Sequence, residues 1–288
     1  SGGFIYTFDC CKNSGEVNGY GILGGITAVQ GATAGNNVCH FIQCVNNGDI
    51  TATATQAVSS SAMAGIAAFY SPGSVFEYCI NTGFVTNTKS VYTAGIAANN
   101  KGSATADYPV VFKGCVNTGN IASSAQQIAG IVAYITNYTS VDSCLNYGTI
   151  EQGIWGAAGI CYTMAGTTSS LTNCINYGDV SVTQYNAGGI VGNCASTTAV
   201  IENCVNVGNI TSTTTAEKNN YGVGGIAGSS YATMKNCFNE GKVVGKLRVG
   251  GIVGSPSYNA NGARTQLVNC VNVGLITADE GCGGALVG

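Results

Sequence analysis

Fourteen cysteines, one histidine and thirteen acidic residues are the side chains of this 288-residue chain that could bind metal, form disulfides or activate a nucleophile. Their spacing decides among these chemistries. A zinc site wants Cys-x-x-Cys or clustered histidines, and neither occurs, so no metal or other cofactor is expected. His40 lies beside Cys39 in a strand-like stretch with no acid near it in a triad-like arrangement, which makes it structural. Cleavage of a sugar chain needs carboxylates converging on one face. Asp49 and Asp179 share a repeat position, but Thr, Asn or apolar residues fill it in most of the repeats between them.

The cysteines follow a phrase. Cys-x-Asn-x-Gly-x-Ile/Val begins at Cys11, Cys44, Cys79, Cys115, Cys144, Cys174, Cys204, Cys237 and Cys270, at intervals of 33, 35, 36, 29, 30, 30, 33 and 33 residues. A second phrase, small-Gly-Ile, interleaves at Gly25, Gly65, Gly95, Gly130, Gly159, Gly189, Gly225 and Gly251, with a variant at Gly284. Segments of variable length, such as those after Ile50 and Ile210, absorb the differences between repeats. A period of this size marks a solenoid, in which each unit buries its apolar face against its neighbours.

The local grammar selects the type of solenoid. Helix-pair repeats need amphipathic runs of good helix formers, whereas Gly, Asn, Thr and Val interrupt these segments every six to eight residues. "AVIENCV", "SLTNCI" and "GGIVG" read as short strands, and Asn-x-Gly offers the left-handed backbone of a turn. The expected fold is all-β, a right-handed parallel β-helix (β-solenoid) of about nine coils of roughly 31 residues, forming one domain over residues 1–288. At ~4.8 Å per level it is a rod about 43 Å long.

In such a stack each position meets its own copy above and below. Asn13, Asn46, Asn81, Asn117, Asn146, Asn176, Asn206, Asn239 and Asn272 are expected to form an amide ladder. The residue after Cys, apolar in eight of the nine repeats, makes an apolar column. Stacked cysteines have Cβ atoms ~4.8 Å apart, beyond the ~3.8 Å of a disulfide, so the nine are expected to be buried thiols. Strict strand alternation would turn them outward, and a bend at the preceding residue (Ser143, Asn173, Asn203) would turn them inward. Cys10, Cys39, Cys161, Cys194 and Cys282 stand outside the ladder with no evident pairing.

Composition narrows the function classes. Charged residues are 8% of the chain and the net charge is −3, so neither nucleic acid nor an anionic membrane is an expected partner. No apolar run reaches the ~18 residues of a membrane span, so no membrane insertion is expected. Tyr147 and Tyr177 share a position in adjacent repeats and read as surface aromatics that stiffen the rod, with a sugar-stacking platform as the alternative. Thr51, Thr86, Thr211 and Thr277 also share one, but the column is broken in five of nine repeats, against an ice-binding face. Asn137-Tyr138-Thr139 and Asn209-Ile210-Thr211 are glycosylation sequons.

"GGIVG" at Gly188 and "GGIAG" at Gly224, followed by "TAVIENCVNVGNITS" or "TMKNCFNEGKVVG", resemble the GLUG-motif repeats of large bacterial surface proteins and adhesins. The resemblance spans essentially the whole chain, with "AGIAA" at Ala64 and Ala94 departing from it. It implies an extracellular or cell-surface location, a structural or adhesive role without catalytic residues, and a cell-surface glycan or host protein as ligand. Gly2-Gly3-Phe4-Ile5 and Gly283-Gly284-Ala285-Leu286 stand at the same phase of the repeat, and no cap is visible at either. The expectation is therefore an uncapped domain that belongs to a longer array or associates head to tail into a fibre. The competing expectation is a polysaccharide-binding or polysaccharide-cleaving β-helix.

Overall fold

The structure, a computed structural model, describes residues 4–28, 38–53, 61–88, 91–124, 126–153, 155–213, 221–257 and 264–288. It is an all-β parallel β-solenoid, with no helix among the described residues. One coil illustrates the path. Ser170–Thr172, Ile175–Asn176, Val180–Val182, Asn186–Gly188 and Val191–Cys194 each enter one of five parallel sheets, and the chain then rises one level. Four sheets have nine strands and the fifth has seven, so seven coils are complete. The first and last levels reach the fifth sheet only through the isolated bridges Thr27–Ala67 and Val253–Val287, which lowers the expected count of nine. Matching rungs lie 29 to 36 residues apart, the same intervals as the cysteines along the sequence. Much of the segments expected to absorb this variation, 54–60 and 214–220, lies outside the described residues.

The strands are shorter than the sequence suggests, and the reason is a bend. "AVIENCV" divides into Val200–Glu202 and Val205–Asn206, with Asn203 between them in the left-handed region. The residue before the ladder cysteine takes φ between 51° and 62° in all nine repeats, at Cys10, Gln43, Tyr78, Gly114, Ser143, Asn173, Asn203, Asn236 and Asn269. This residue breaks the alternation of the strand. The side chain three before Cys, such as Leu171, and the Cys itself both face inward, while the apolar residue after Cys becomes a half-buried column outside.

The left-handed residue is therefore the one before Cys, not the glycine of Asn-x-Gly. That glycine serves close approach. A Cβ on Gly148 would run into the carbonyl of Gly119 one level below, and the same holds at Gly48, Gly83, Gly119, Gly178, Gly208, Gly241 and Gly274. Coils packed at strand spacing leave no room for a methyl group there.

Two apolar columns fill the interior. Phe8, Phe41, Phe76 and Phe112 stack with centroids 4.9, 4.7 and 4.6 Å apart, and Tyr70 meets two of them edge-on. Val141, Leu171, Ile201, Met234 and Leu267 continue the column upward in register. The second core joins Ile50, Val85, Ile121, Ile150, Val180, Ile210 and Val243.

Candidate functional site

The nine asparagines form one uninterrupted ladder inside the rod. Each Nδ2 donates to the Oδ1 of the asparagine one level up, through eight bonds of 2.7–2.8 Å from Asn13 to Asn272. The second Nδ2 hydrogen goes to the carbonyl of the glycine two residues on, as from Asn146 to Gly148 at 2.9 Å. Asn46 to Asn239 have no solvent exposure. Both amide hydrogens and the oxygen are thus bonded at every interior rung, which is what permits a polar column in a dry core.

The second phrase exists to admit this ladder. A Cβ on Gly159 would overlap the carboxamide of Asn176 in the next coil, and Gly25, Gly65, Gly95, Gly130, Gly189, Gly225 and Gly251 meet Asn46, Asn81, Asn117, Asn146, Asn206, Asn239 and Asn272 in the same way. The residue just before this glycine varies between Ala and Gly (Ala64, Ala94, Ala129, Ala158, Gly188, Gly224), whereas the glycine itself does not. The "AGIAA" departures place Ala64 and Ala94 at this preceding position; in the coils that carry Gly188 and Gly224 there, a Cβ would meet the carbonyls of Val191 and Ala227.

The cysteines form a parallel column. None of the nine is in a disulfide, and Cys44, Cys79, Cys115, Cys144, Cys174, Cys204 and Cys237 are buried. Each thiol donates to a backbone carbonyl, as Cys79 does to Phe41 O at 3.3 Å and Cys174 to Thr172 O at 3.2 Å. Burial disfavours the thiolate at every rung, and at Cys144 it pushes the thiol well above its ordinary value, helped by contact with Cys115 and Cys174. Cys237 is pushed up to about 12 by its hydrogen bond with Cys204 and by burial. At Cys115 burial raises the thiol but hydrogen bonds with Cys144 and Cys79 outweigh it, and at Cys174 hydrogen bonds with Cys144 and Cys204 outweigh burial, so both are held below the ordinary value; burial from Cys44 to Cys237 shuts the column off from reagents in solution. Outside it, Cys39, Cys161 and Cys194 are buried, and Cys10 and Cys282 are exposed.

Several acidic and amide groups on the outside are engaged between coils. Asp49 Oδ1 accepts from Phe84 N at 2.9 Å, and Asp179 Oδ1 accepts from Asn209 N at 2.7 Å and Asn209 Nδ2 at 3.1 Å. Asp142 accepts from Thr172, Asn173 and Ser143. Partial burial pushes this carboxyl up, but the three donors and the nearby Lys113 outweigh it and hold it below the usual value. His40 is half-buried in the first sheet, paired in register with Thr7 and Val75.

Both sequons carry inter-coil bonds. Asn209 Nδ2 is the donor to Asp179 just described, and Asn209 Oδ1 accepts from Lys242 N. Asn137 Oδ1 accepts from Thr167 N at 2.7 Å, and Thr139 is buried. Thr51, Thr86, Thr211 and Thr277 face outward in the third sheet, their column broken in register by Ala122 and Val244.

A second, outer asparagine ladder was hidden in the sequence. Asn203 donates to Asn173, Asn236 to Asn203 and Asn269 to Asn236 at 3.2–3.3 Å, running opposite to the inner ladder. The signal was the Asn-Cys pair repeated in the last four phrases, which also suits the left-handed φ.

Aromatic residues gather at two outer corners. Tyr147 and Tyr177 stack face to face at 4.7 Å and 4°, so each covers a face of the other. At the corner before the fourth sheet, Trp155 and Tyr185 lie 5.7 Å apart at 56°, and Tyr185 and Tyr221 lie 4.3 Å apart at 81°. A groove of about 310 Å³ runs over the first sheet between Phe4, Val38, Val75, Tyr108 and Val111, with Asp107 its one acidic wall. Among the described residues no group of three or more His, Cys, Asp and Glu side chains could hold a metal ion. In comparisons with protein families, curated proteins and solved structures, the chain matches none.

Proposed function

We propose that this chain is a non-catalytic structural and adhesive β-solenoid, a stiff rod module of the cell surface or extracellular space. The observation that carries this reading is the inner ladder, nine rungs without a break, each bonded to the next. Side chains that a reaction centre would leave free are bound instead into holding coils together. Asp49, Asp142, Asp179 and Asn209 all do so. Sealed thiols suit an oxidising exterior, since burial shuts them off from reagents in solution. The resemblance to surface-protein repeats supports the location.

The ladder also has a direction. Every Nδ2 points toward the higher-numbered coil, so a coil of the same grammar fits either end face only head to tail. Negative-stain microscopy at rising concentration, run beside a screen for glycan hydrolysis, tests the reading. Rods that lengthen end to end with no sugar release support it. Sugar release abolished by Asp49→Asn or Asp179→Asn would sink it.

A further inference from the structure

The aromatic corner before the fourth sheet has a form that stiffening alone does not require. Trp155, Tyr185 and Tyr221 precede Gly156, Asn186 and Gly222, and Gly156 pairs in register with Asn186 while Gly222 N donates to Asn186 Oδ1. The three rings therefore stand on successive coils at one repeat position. Unlike the parallel Tyr147–Tyr177 pair, they are set at 56° and 81° to one another, an arrangement that leaves ring faces unstacked. Trp155 is 45% exposed.

The corner is rigid from behind. Tyr162 is buried beneath it, and its hydroxyl donates to Trp155 O at 3.1 Å. A Cβ at Gly156 or Gly192 would strike the Tyr162 ring, so both glycines let that ring lie flat against the backbone. A preformed surface loses little entropy when a ligand settles on it. Beside it, the outward positions of the third sheet carry Glu151, Ser181 and Thr211, polar groups within reach of hydroxyls.

We propose that Trp155, Tyr185 and Tyr221 form a binding ledge for a neutral polysaccharide chain lying along the rod axis. Aromatic faces take the C–H faces of pyranose rings, and flanking polar groups take their hydroxyls. The coils that carry the rings rise by ~4.8 Å and the ring centroids lie 5.7 and 4.3 Å apart, close to the length of one pyranose unit, so successive sugars meet successive coils. Among the described residues of these three coils Glu151 is the one charged side chain at this corner, and its carboxylate disfavours an anionic polymer; on the coil above, Lys246 is paired with Glu280 and Arg248 donates to Ser255. The ledge stands independently of whether the rod is a stalk or a fibre.

Trp155 is the only tryptophan, so its emission reports occupancy directly. The intact polypeptide is titrated with a soluble β-glucan, a mannan, a galactan and the anionic polygalacturonate. The expected result is a saturable change in emission with at least one neutral polymer and none with polygalacturonate. Tyr185→Ala and Tyr221→Ala each weaken that affinity about 3- to 10-fold, the span of one aromatic contact, while Tyr147→Ala/Tyr177→Ala leaves it unchanged. Retardation in polysaccharide-containing gels, lost in Trp155→Ala and kept in Trp155→Phe, separates binding from misfolding. No response to any neutral polymer, a response confined to polygalacturonate, or equal affinity in Tyr185→Ala overturns the proposal.

Discussion

Replacing Asn146 by alanine removes one rung from the middle of the inner ladder. Three groups then lose their partner in a dry interior. These are Gly148 O, Asn176 Oδ1 and Asn117 Nδ2, now bonded to Asn146 at 2.9, 2.8 and 2.8 Å. Each buried, unsatisfied group costs roughly 1–3 kcal/mol, and partial relaxation brings the total to about 4 kcal/mol. At ~2.1 cal/mol/K per residue, the unfolding entropy of 288 residues makes that a fall of about 7 °C in melting midpoint. Asn272→Ala removes the same side chain from a half-exposed rung, where water replaces both its bond to Gly274 O and the one from Asn239. It should cost below about 1 kcal/mol, or less than about 2 °C. Asn146→Asp keeps the shape but has no amide hydrogens to give, so it should be at least as damaging as alanine. The assay is thermal unfolding by far-UV circular dichroism, with amide exchange locating the loss in the coils of Asn117 and Asn176. The reasoning fails if Asn146→Ala and Asn272→Ala melt within 2 °C of each other, or if Asn146→Asp melts like the unaltered chain.

The glycine column predicts a position effect within one motif. Gly148→Ala should prevent normal folding, because its Cβ meets the Gly119 carbonyl, whereas Gly15→Ala should be neutral, its nearest neighbour being Asn13 Oδ1 at 3.8 Å; yield and melting of the two variants decide. At the bend, Asn203→Val should destabilise by about 2 kcal/mol, since a β-branched residue resists φ of 54°, while Asn203→Gly should lose only the two outer bonds, to Asn173 and from Asn236; urea midpoints measure both. A thiol reagent should label Cys10 and Cys282 rapidly in the native protein and the buried cysteines only after denaturation; mass spectrometry at timed intervals would show otherwise if the column were open. The Asp142 carboxyl lies below its ordinary value, so the stability it adds is present above the unfolded carboxyl pKa of ~3.9 and is lost as pH falls through the folded value. Acid titration of Asp142→Asn should lack that loss.

The sequence was legible wherever a residue meets its own copy. Period, sheet type, inner ladder and thiol column all follow from stacking like on like, and each phrase repeats because every level imposes the same constraint. The stacked Phe8, Phe41, Phe76 and Phe112 were legible in principle, three residues before their cysteines, but that position changes to Val141, Leu171 and Ile201 higher in the rod. The outer ladder was harder to see, because Tyr78, Gly114 and Ser143 interrupt its column.

What the tertiary structure alone decided is how the two phrases, on adjoining coils, meet across the interior. Gly159 and Asn176 are 17 positions apart and in different phrases, and only the closed coil brings the amide against the glycine. The bend before each cysteine is likewise a tertiary choice. Cys10, Gln43, Tyr78 and Ser143 have no shared preference for a left-handed backbone, and the packing of Phe, Leu and Cys on one interior side imposes it on them all. Periodicity along the chain fixes what lies above and below a residue, because that neighbour is its own repeat; what lies opposite depends on how the coil closes, and no local spacing encodes that.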